Sequence, residues 1–149
     1  ANVNLDSSRR QGVAIDGQLT LSDEISLQAN YTYTDAELTS GSFPGNDVPY
    51  VAENRANLAI VFTPVEQLIV YLDSSYTGAR YRSGDDANAW AKIDPLVLFN
   101  LTVTWEYQGV EVTGRIKNLT NERYAGLQAS WGQYPQPERN YEASITYRF

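Results

Sequence analysis

From residue 11 to the C-terminus, apolar side chains recur every second residue and not every 3.6, the period of a pleated strand with two unlike faces. The last stretch is the clearest case. Tyr141, Ala143, Ile145, Tyr147 and Phe149 alternate with Asn140, Glu142, Ser144, Thr146 and Arg148. The same alternation sets Val13, Ile15, Gly17, Leu19 and Leu21 against Asp16, Gln18 and Thr20. It sets Ile25, Leu27, Ala29, Tyr31 and Tyr33 against Ser26, Gln28, Asn30 and Thr32. A third strand is predicted from about Val51 to Thr63, with a turn at 63 to 66 marked by Pro64, and a fourth from about Gln67 to Tyr81. The fifth opposes Val97, Phe99, Leu101, Val103, Trp105 and Tyr107 to Asn100, Thr102, Thr104 and Glu106. The sixth opposes Val110, Val112, Gly114 and Ile116 to Glu111, Thr113, Arg115 and Lys117. Parity slips near Asn118 and Leu119, which predicts a β-bulge there.

Seven strands follow, and their connections alternate strictly. Tight turns at 22 to 24, 63 to 66 and 108 to 109 alternate with long polar loops at about 36 to 49, 82 to 92 and 125 to 137. Transmembrane β-barrels have this arrangement, with short periplasmic turns, longer extracellular loops and strands that are apolar outward and polar inward. A soluble β-sandwich also has period-2 strands, but nothing in it requires aromatics at the ends of the apolar face. Here Tyr31, Tyr33, Tyr76 and Tyr141 fall toward the long loops, while Phe62, Trp105, Tyr107, Tyr147 and Phe149 fall toward the short turns. Two interfacial girdles account for them. The opposite face carries Asp16, Arg55, Asp73, Glu106, Arg115, Lys117, Glu142 and Arg148, a lining suited to a hydrated lumen. The predicted fold class is all-β, an antiparallel up-and-down transmembrane β-barrel.

Composition narrows the chemistry. The 149 residues include no Cys and no His, which removes disulfides, thiolate metal sites and the commonest general base. A net charge of -7 argues against a nucleic-acid partner. No apolar run reaches the roughly 18 residues of a transmembrane helix. Without Met the chain does not start at its own initiator, so it is expected to be a mature piece or a fragment.

Catalytic constellations are not found: Ser7 and Ser8 beside Arg9 have no His partner, and no nucleotide or hydrolase fingerprint occurs. The expectation is no enzyme, no catalytic residue and no cofactor. Asp85, Asp86 and Asn88 offer oxygen donors to a cation such as calcium, but lack the EF-hand spacing and its bidentate Glu, so a solvated acidic loop tip is expected and no metal. Asn100 and Asn118 each begin an Asn-Leu-Thr glycosylation pattern, accidental within barrel strands. The loop aromatics Phe43, Trp90, Trp131 and Tyr134 are candidate ligand-capture groups, because flat rings bury area at low entropic cost; packing of loop against loop is the alternative. Arg80, Arg82 and Arg139 at the outer rim either attract an anionic ligand or pair with Asp85, Asp86 or Glu138.

Four segments carry a family resemblance. Asn118-Leu-Thr-Asn-Glu-Arg-Tyr124 resembles the pattern near the end of TonB-dependent receptors, and Ile145-Thr-Tyr-Arg-Phe149 resembles their terminal strand. Ser8-Arg-Arg-Gln-Gly-Val13 resembles the start of a late barrel strand, with Ala14 where the family usually has Glu. Asn30-Tyr-Thr-Tyr-Thr-Asp-Ala36 resembles a strand end. The resemblance implies that residues 1–149 are the C-terminal part of a 22-stranded outer-membrane barrel, without its N-terminal plug domain, its TonB box and the earlier strands. It further implies import of a scarce nutrient, a ferric siderophore by default, with iron as cargo and not cofactor. The implied partners are the TonB energy-transducing complex through the missing N-terminal region, outer-membrane lipid, a small-molecule ligand bound in the loops, where Phe43, Arg82, Trp90, Trp131, Tyr134 and Arg139 are the candidates, and the barrel assembly machinery, which would read Tyr147 and Phe149. The alternative is a small stand-alone eight-stranded barrel of structural or adhesive role, its eighth strand drawn from residues 1 to 8.

Overall fold

The structure is a computed structural model that describes residues 7–129 and 131–149. Its strands are β1 (Ser8–Thr20), β2 (Ile25–Leu38), β3 (Asn54–Val65), β4 (Leu68–Thr77), β5 (Leu96–Tyr107), β6 (Val110–Lys117), β7 (Ala125–Ala129), β8 (Gly132–Pro135) and β9 (Asn140–Tyr147). Seven of them form one antiparallel sheet in the order β1-β2-β3-β4-β5-β6-β9, so each strand lies beside its predecessor except where the β7-β8 hairpin intervenes. The seven alternating segments read from the sequence are the seven strands of this sheet.

Register makes the alternation two-dimensional. Residues paired across an antiparallel ladder share a face, and one row runs Leu19, Leu27, Ile60, Leu72, Leu101, Ile116, Tyr141 across all seven strands. The face it belongs to is apolar and open: Ile15, Leu19, Leu58, Trp105 and Ile145 all stand exposed, and among the described residues no second sheet covers them. A soluble protein would not tolerate so continuous an apolar surface. Lipid does. Along β5 the face spans Val97 to Tyr107, about 33 Å of strand, or about 25 Å along the membrane normal at the usual barrel tilt.

The aromatic rows lie where the girdles were expected. Tyr31, Ala56, Tyr76 and Val97 form a row near the long connections, while Tyr107, Val110 and Tyr147 form one beside the short turns. On the other face the polar residues pair with one another. Asn57 donates to Asn30 at 2.9 Å, Asn100 to Asp73 at 2.7 Å, Lys117 meets Glu142 at 2.6 Å, and Arg148 reaches Glu111 at 2.9 Å. Two open clefts of about 450 and 410 Å³ lie on this face and share Asp73 and Tyr71.

Local chemistry sets the turns. Between β5 and β6, Gln108 (φ 49°) and Gly109 (φ 80°) both adopt left-handed backbone, the pattern of the two-residue turn whose twist matches its strands. A Cβ on Gly109 would stand 2.6 Å from the Arg148 carbonyl, so glycine also lets the last strand close against this turn, where Arg148 N–H donates to the Gly109 carbonyl. Gly12 answers a similar need in β1, since a Cβ there would meet the Tyr33 carbonyl oxygen at 2.1 Å.

Several expectations need correction. Pro64 lies inside β3 and not in a turn; the ladder shifts register between Phe62 and Val65, which is where a residue without an N–H is tolerated. No bulge forms at Asn118 and Leu119, because β6 ends at Lys117 and Asn118 turns away with φ 54°. β2 continues through Ala36 to Leu38, and the segment expected as a plain loop at 125 to 137 contains the β7-β8 hairpin. The additional strand sought in residues 1 to 8 falls, up to residue 6, outside the described residues.

Candidate functional site

The connections 39–53, 78–95 and 118–139 all leave the same end of the sheet. They form a crown, and the buried hydrophobic residues among the described residues, Ala59 excepted, lie in it or at the adjoining end of β2. Ala36, Leu38 and Val48 pack together with Val51 against them, because the chain doubles back so that Leu38 N–H donates to the Asn46 carbonyl and Val48 N–H to the Ala36 carbonyl.

Side-chain amides and carboxylates tie the three connections to one another. Asn46 Nδ2 donates to the Asp86 carbonyl at 3.0 Å. Asn88 accepts from Asp47 N–H at 2.8 Å and donates back to the Asp47 carbonyl at 3.1 Å, a reciprocal pair that mimics a backbone ladder. Tyr50 joins all three: its N–H donates to the Tyr81 carbonyl and its hydroxyl to the Gly126 carbonyl. Lys92 Nζ lies 3.0 Å from Asp47 and 3.9 Å from Glu53, and also sits 4.8 Å from the centre of the Tyr81 ring. The hydrogen bond to Asp47 raises the Lys92 ammonium above the ordinary lysine value; partial burial works against this, and the charges of Asp47 and Glu53 add to it.

Asp85 is not the solvated loop tip that was expected. It is 5% exposed, and its two carboxylate oxygens accept from Ala89 N–H at 2.9 Å and Trp90 N–H at 3.1 Å, closing the turn that presents Trp90. Asn118 plays the same part at the end of β6. Buried, it donates to the Glu122 carbonyl and accepts from Glu122 N–H, both at 2.8 Å, while its own N–H donates to Asn100 at 3.0 Å. Both Asn-Leu-Thr positions are therefore held within the fold.

The six candidate ligand residues are exposed, but they do not converge on one point. Trp131, 70% exposed, and Tyr134 meet edge-to-face at 5.8 Å across the β7-β8 hairpin tip. Phe43 stands on the 39–53 connection and Trp90 on the 78–95 connection, each roughly half exposed. Arg139 is anchored by its backbone, which donates to Asn121; Glu138, one of its expected partners, instead holds Arg123 at 2.9 Å. Arg82 lines a cleft of about 390 Å³ together with Arg80, Lys92, Arg123 and Tyr124.

Arg80 differs most from expectation. It is not a rim residue: it is 8% exposed, its guanidinium lies 4.8 Å from the centre of the Tyr50 ring, and its buried Nη1 has no hydrogen-bond partner among the described residues. Tyr50, Lys92 and Asn88 carry no pattern that marks them in sequence, because the partners that tie them to another connection, Gly126, Asp47 and Asp47 again, lie 76, 45 and 41 residues away along the chain. At the other end of the sheet, Tyr147 and Phe149 are exposed with ring centres 6.2 Å apart.

Comparison with known proteins agrees with this geometry. The family described as "TonB dependent receptor-like, beta-barrel" matches residues 1–119. The ferrichrome outer membrane transporter/phage receptor of Escherichia coli is 31% identical over 152 residues, covering 95% of this chain and 20% of that protein. Among solved structures, the ferric citrate transporter FecA superposes with a TM-score of 0.82 at 21% identity, and the ferric yersiniabactin uptake receptor FyuA of Yersinia pestis with 0.81 at 18%. Each alignment covers 95% of this chain and 24% of the other. The chain spans about a fifth of the length of the curated relatives it matches.

Proposed function

The chain belongs to the TonB dependent receptor-like β-barrel family, and we propose that it is the C-terminal section of a 22-stranded outer-membrane barrel that imports a ferric siderophore. The observation that carries this is the sheet itself: a continuous apolar face flanked by aromatic rows, a polar face opposite, and three long connections at one end. β1 and β9 end the strand order, and an unpaired strand edge in lipid costs several kcal/mol per backbone group. Further strands of the same barrel would satisfy both edges.

In this reading the apolar face meets outer-membrane lipid, the polar face lines a lumen filled by an N-terminal plug, and the crown faces outward to capture the chelate. Phe43, Trp90, Trp131 and Tyr134 supply ring surface, and Arg82 and Arg139 supply charge. The role is transport and not catalysis, iron is cargo, and energy comes from the TonB complex acting through the N-terminal region. Tyr147 and Phe149 serve as the terminal signal for the barrel assembly machinery; the exposure of Tyr147 at the last pair of the ladder and of Phe149 beyond it suits that role.

The test is uptake of radiolabelled ferric chelates by iron-starved cells with and without the complete gene, in backgrounds with and without TonB. Uptake that requires both supports the proposal. Uptake unchanged by loss of the gene, or independent of TonB, overturns it.

A further inference from the structure

We propose that Tyr50 locks the three outer connections into one rigid body, so that they shift together and never singly. The barrel reading above enters only in placing this body at the outer mouth.

The connections are joined in a closed ring. Between 39–53 and 78–95 run the bond from Asn46 to the Asp86 carbonyl, the reciprocal bonds of Asn88 with Asp47, the Lys92 to Asp47 ion pair, and the Tyr50 N–H to the Tyr81 carbonyl at 2.9 Å. Ser83 N–H donates to the Gln128 carbonyl at 2.9 Å, which joins 78–95 to 118–139. Among the described residues, one hydrogen bond closes the remaining side, from the Tyr50 hydroxyl to the Gly126 carbonyl. Three segments joined in a row can hinge. Joined in a ring, none moves alone without breaking a bond.

Tyr50 is held at a cost. Its φ of 65° lies in the left-handed region that bulky side chains seldom adopt. The Arg80 guanidinium packs over its ring at 4.8 Å, and this shuts Nη1 away from solvent with no hydrogen-bond partner among the described residues. An unfavourable backbone and an orphaned donor persist at one contact where the surroundings over-determine it. Here the surroundings are all three connections, since the Tyr50 N–H, ring and hydroxyl are each met by a group outside 39–53. Phe43, Trp90 and Trp131 stand on different connections, so the ring fixes their mutual positions. A ligand that touches two of them meets surfaces already ordered.

The test is hydrogen exchange of the complete receptor in detergent, read by mass spectrometry, on the wild type and on Tyr50→Phe, which keeps the ring over Arg80 and removes only the hydroxyl. Exchange is expected to quicken about five- to tenfold in all three connections. The peptide containing Ser83 is decisive, because that amide bonds to neither Tyr50 nor Gly126, and faster exchange there reports loss of the ring. Acceleration confined to 39–53 and the neighbourhood of Gly126, or no acceleration, overturns the proposal. A second measurement on the otherwise wild-type receptor does not depend on that variant folding. The chain has no native cysteine, so spin labels on Ser42→Cys, Ala87→Cys and Gln133→Cys, all exposed positions, can be taken two at a time for pulsed distance measurement. One narrow distance for each pair is expected, and two separated populations for any pair overturn the proposal. Neither readout measures import: hinged connections with TonB-dependent uptake intact would sink this inference alone, and absent uptake with both results intact would sink the import reading alone.

Discussion

The sheet and the crown are stabilised by opposite means. In the sheet, order comes from backbone ladders and from a face that is apolar only because lipid is its solvent; apart from Ala36 and Leu38 at the crown end of β2, Ala59 is its one buried hydrophobic residue among the described residues. In the crown, order comes from a small buried cluster and from side chains that stand in for backbone: Asn88, Asp85, Asn118 and Tyr50 each hold a connection where the ladders of the main sheet do not extend. The sheet depends on the membrane for its stability, whereas the crown carries its own interior into water.

That contrast can be broken most severely in the sheet. Leu101→Arg, at the middle of the row that crosses all seven strands, places a charge near the bilayer midplane and should cost about 2–4 kcal/mol. Thr102→Arg, one residue along and facing the polar side, should cost less than about 1 kcal/mol. Folding of the complete receptor into liposomes across a urea series measures both, and equal costs would refute the assignment of faces. Asn118→Ala should cost about 1–3 kcal/mol by leaving the Glu122 N–H and carbonyl without partners. Its expected signature is faster protease cleavage within 118–139 with the barrel still folded; a barrel that fails to fold would place Asn118 in the sheet's stability instead.

Gly109→Ala should cost about 1 kcal/mol for the left-handed backbone, and more for the approach to the Arg148 carbonyl. It tests whether the β5-β6 turn and the last strand act as one unit. Urea unfolding of the receptor reads it, and an unchanged midpoint would show that the turn relaxes freely. The smallest effect is a titration in the crown. The Lys92 value is raised on folding, so its contribution is complete below the ordinary lysine value and is lost as pH rises through the folded one. Hydrogen exchange in 39–53 should therefore hold steady to roughly pH 10, once corrected for intrinsic rates, and accelerate above it by a few-fold at most, because the pair is largely exposed. Lys92→Met should abolish that step.

Much of the sheet was legible because strand period and membrane geometry act residue by residue. Alternation assigned the strands, the faces and both aromatic rows, and seven segments yielded seven strands in order. It erred where a local signal had two meanings. Pro64 marks a turn or a ladder shift equally well, and the parity slip at Asn118 marks a bulge or a strand end. The crown was hardly legible. The six exposed candidates were found by residue type, but Arg80 was placed at the rim and Asp85 at a wet loop tip, since nothing near them in sequence tells that Tyr50 covers the one and that backbone N–H groups of the next turn cap the other.

By itself, the sequence determined a seven-strand antiparallel sheet with one face for lipid and one for water, because a period of two needs only each residue's neighbours to express it. Only the tertiary structure decided how the three connections knit into one crown, which cations find carboxylates, and that among the described residues Arg80 does not. Those pairings join residues far apart along the chain, and their energies depend on burial and distance that no local pattern encodes.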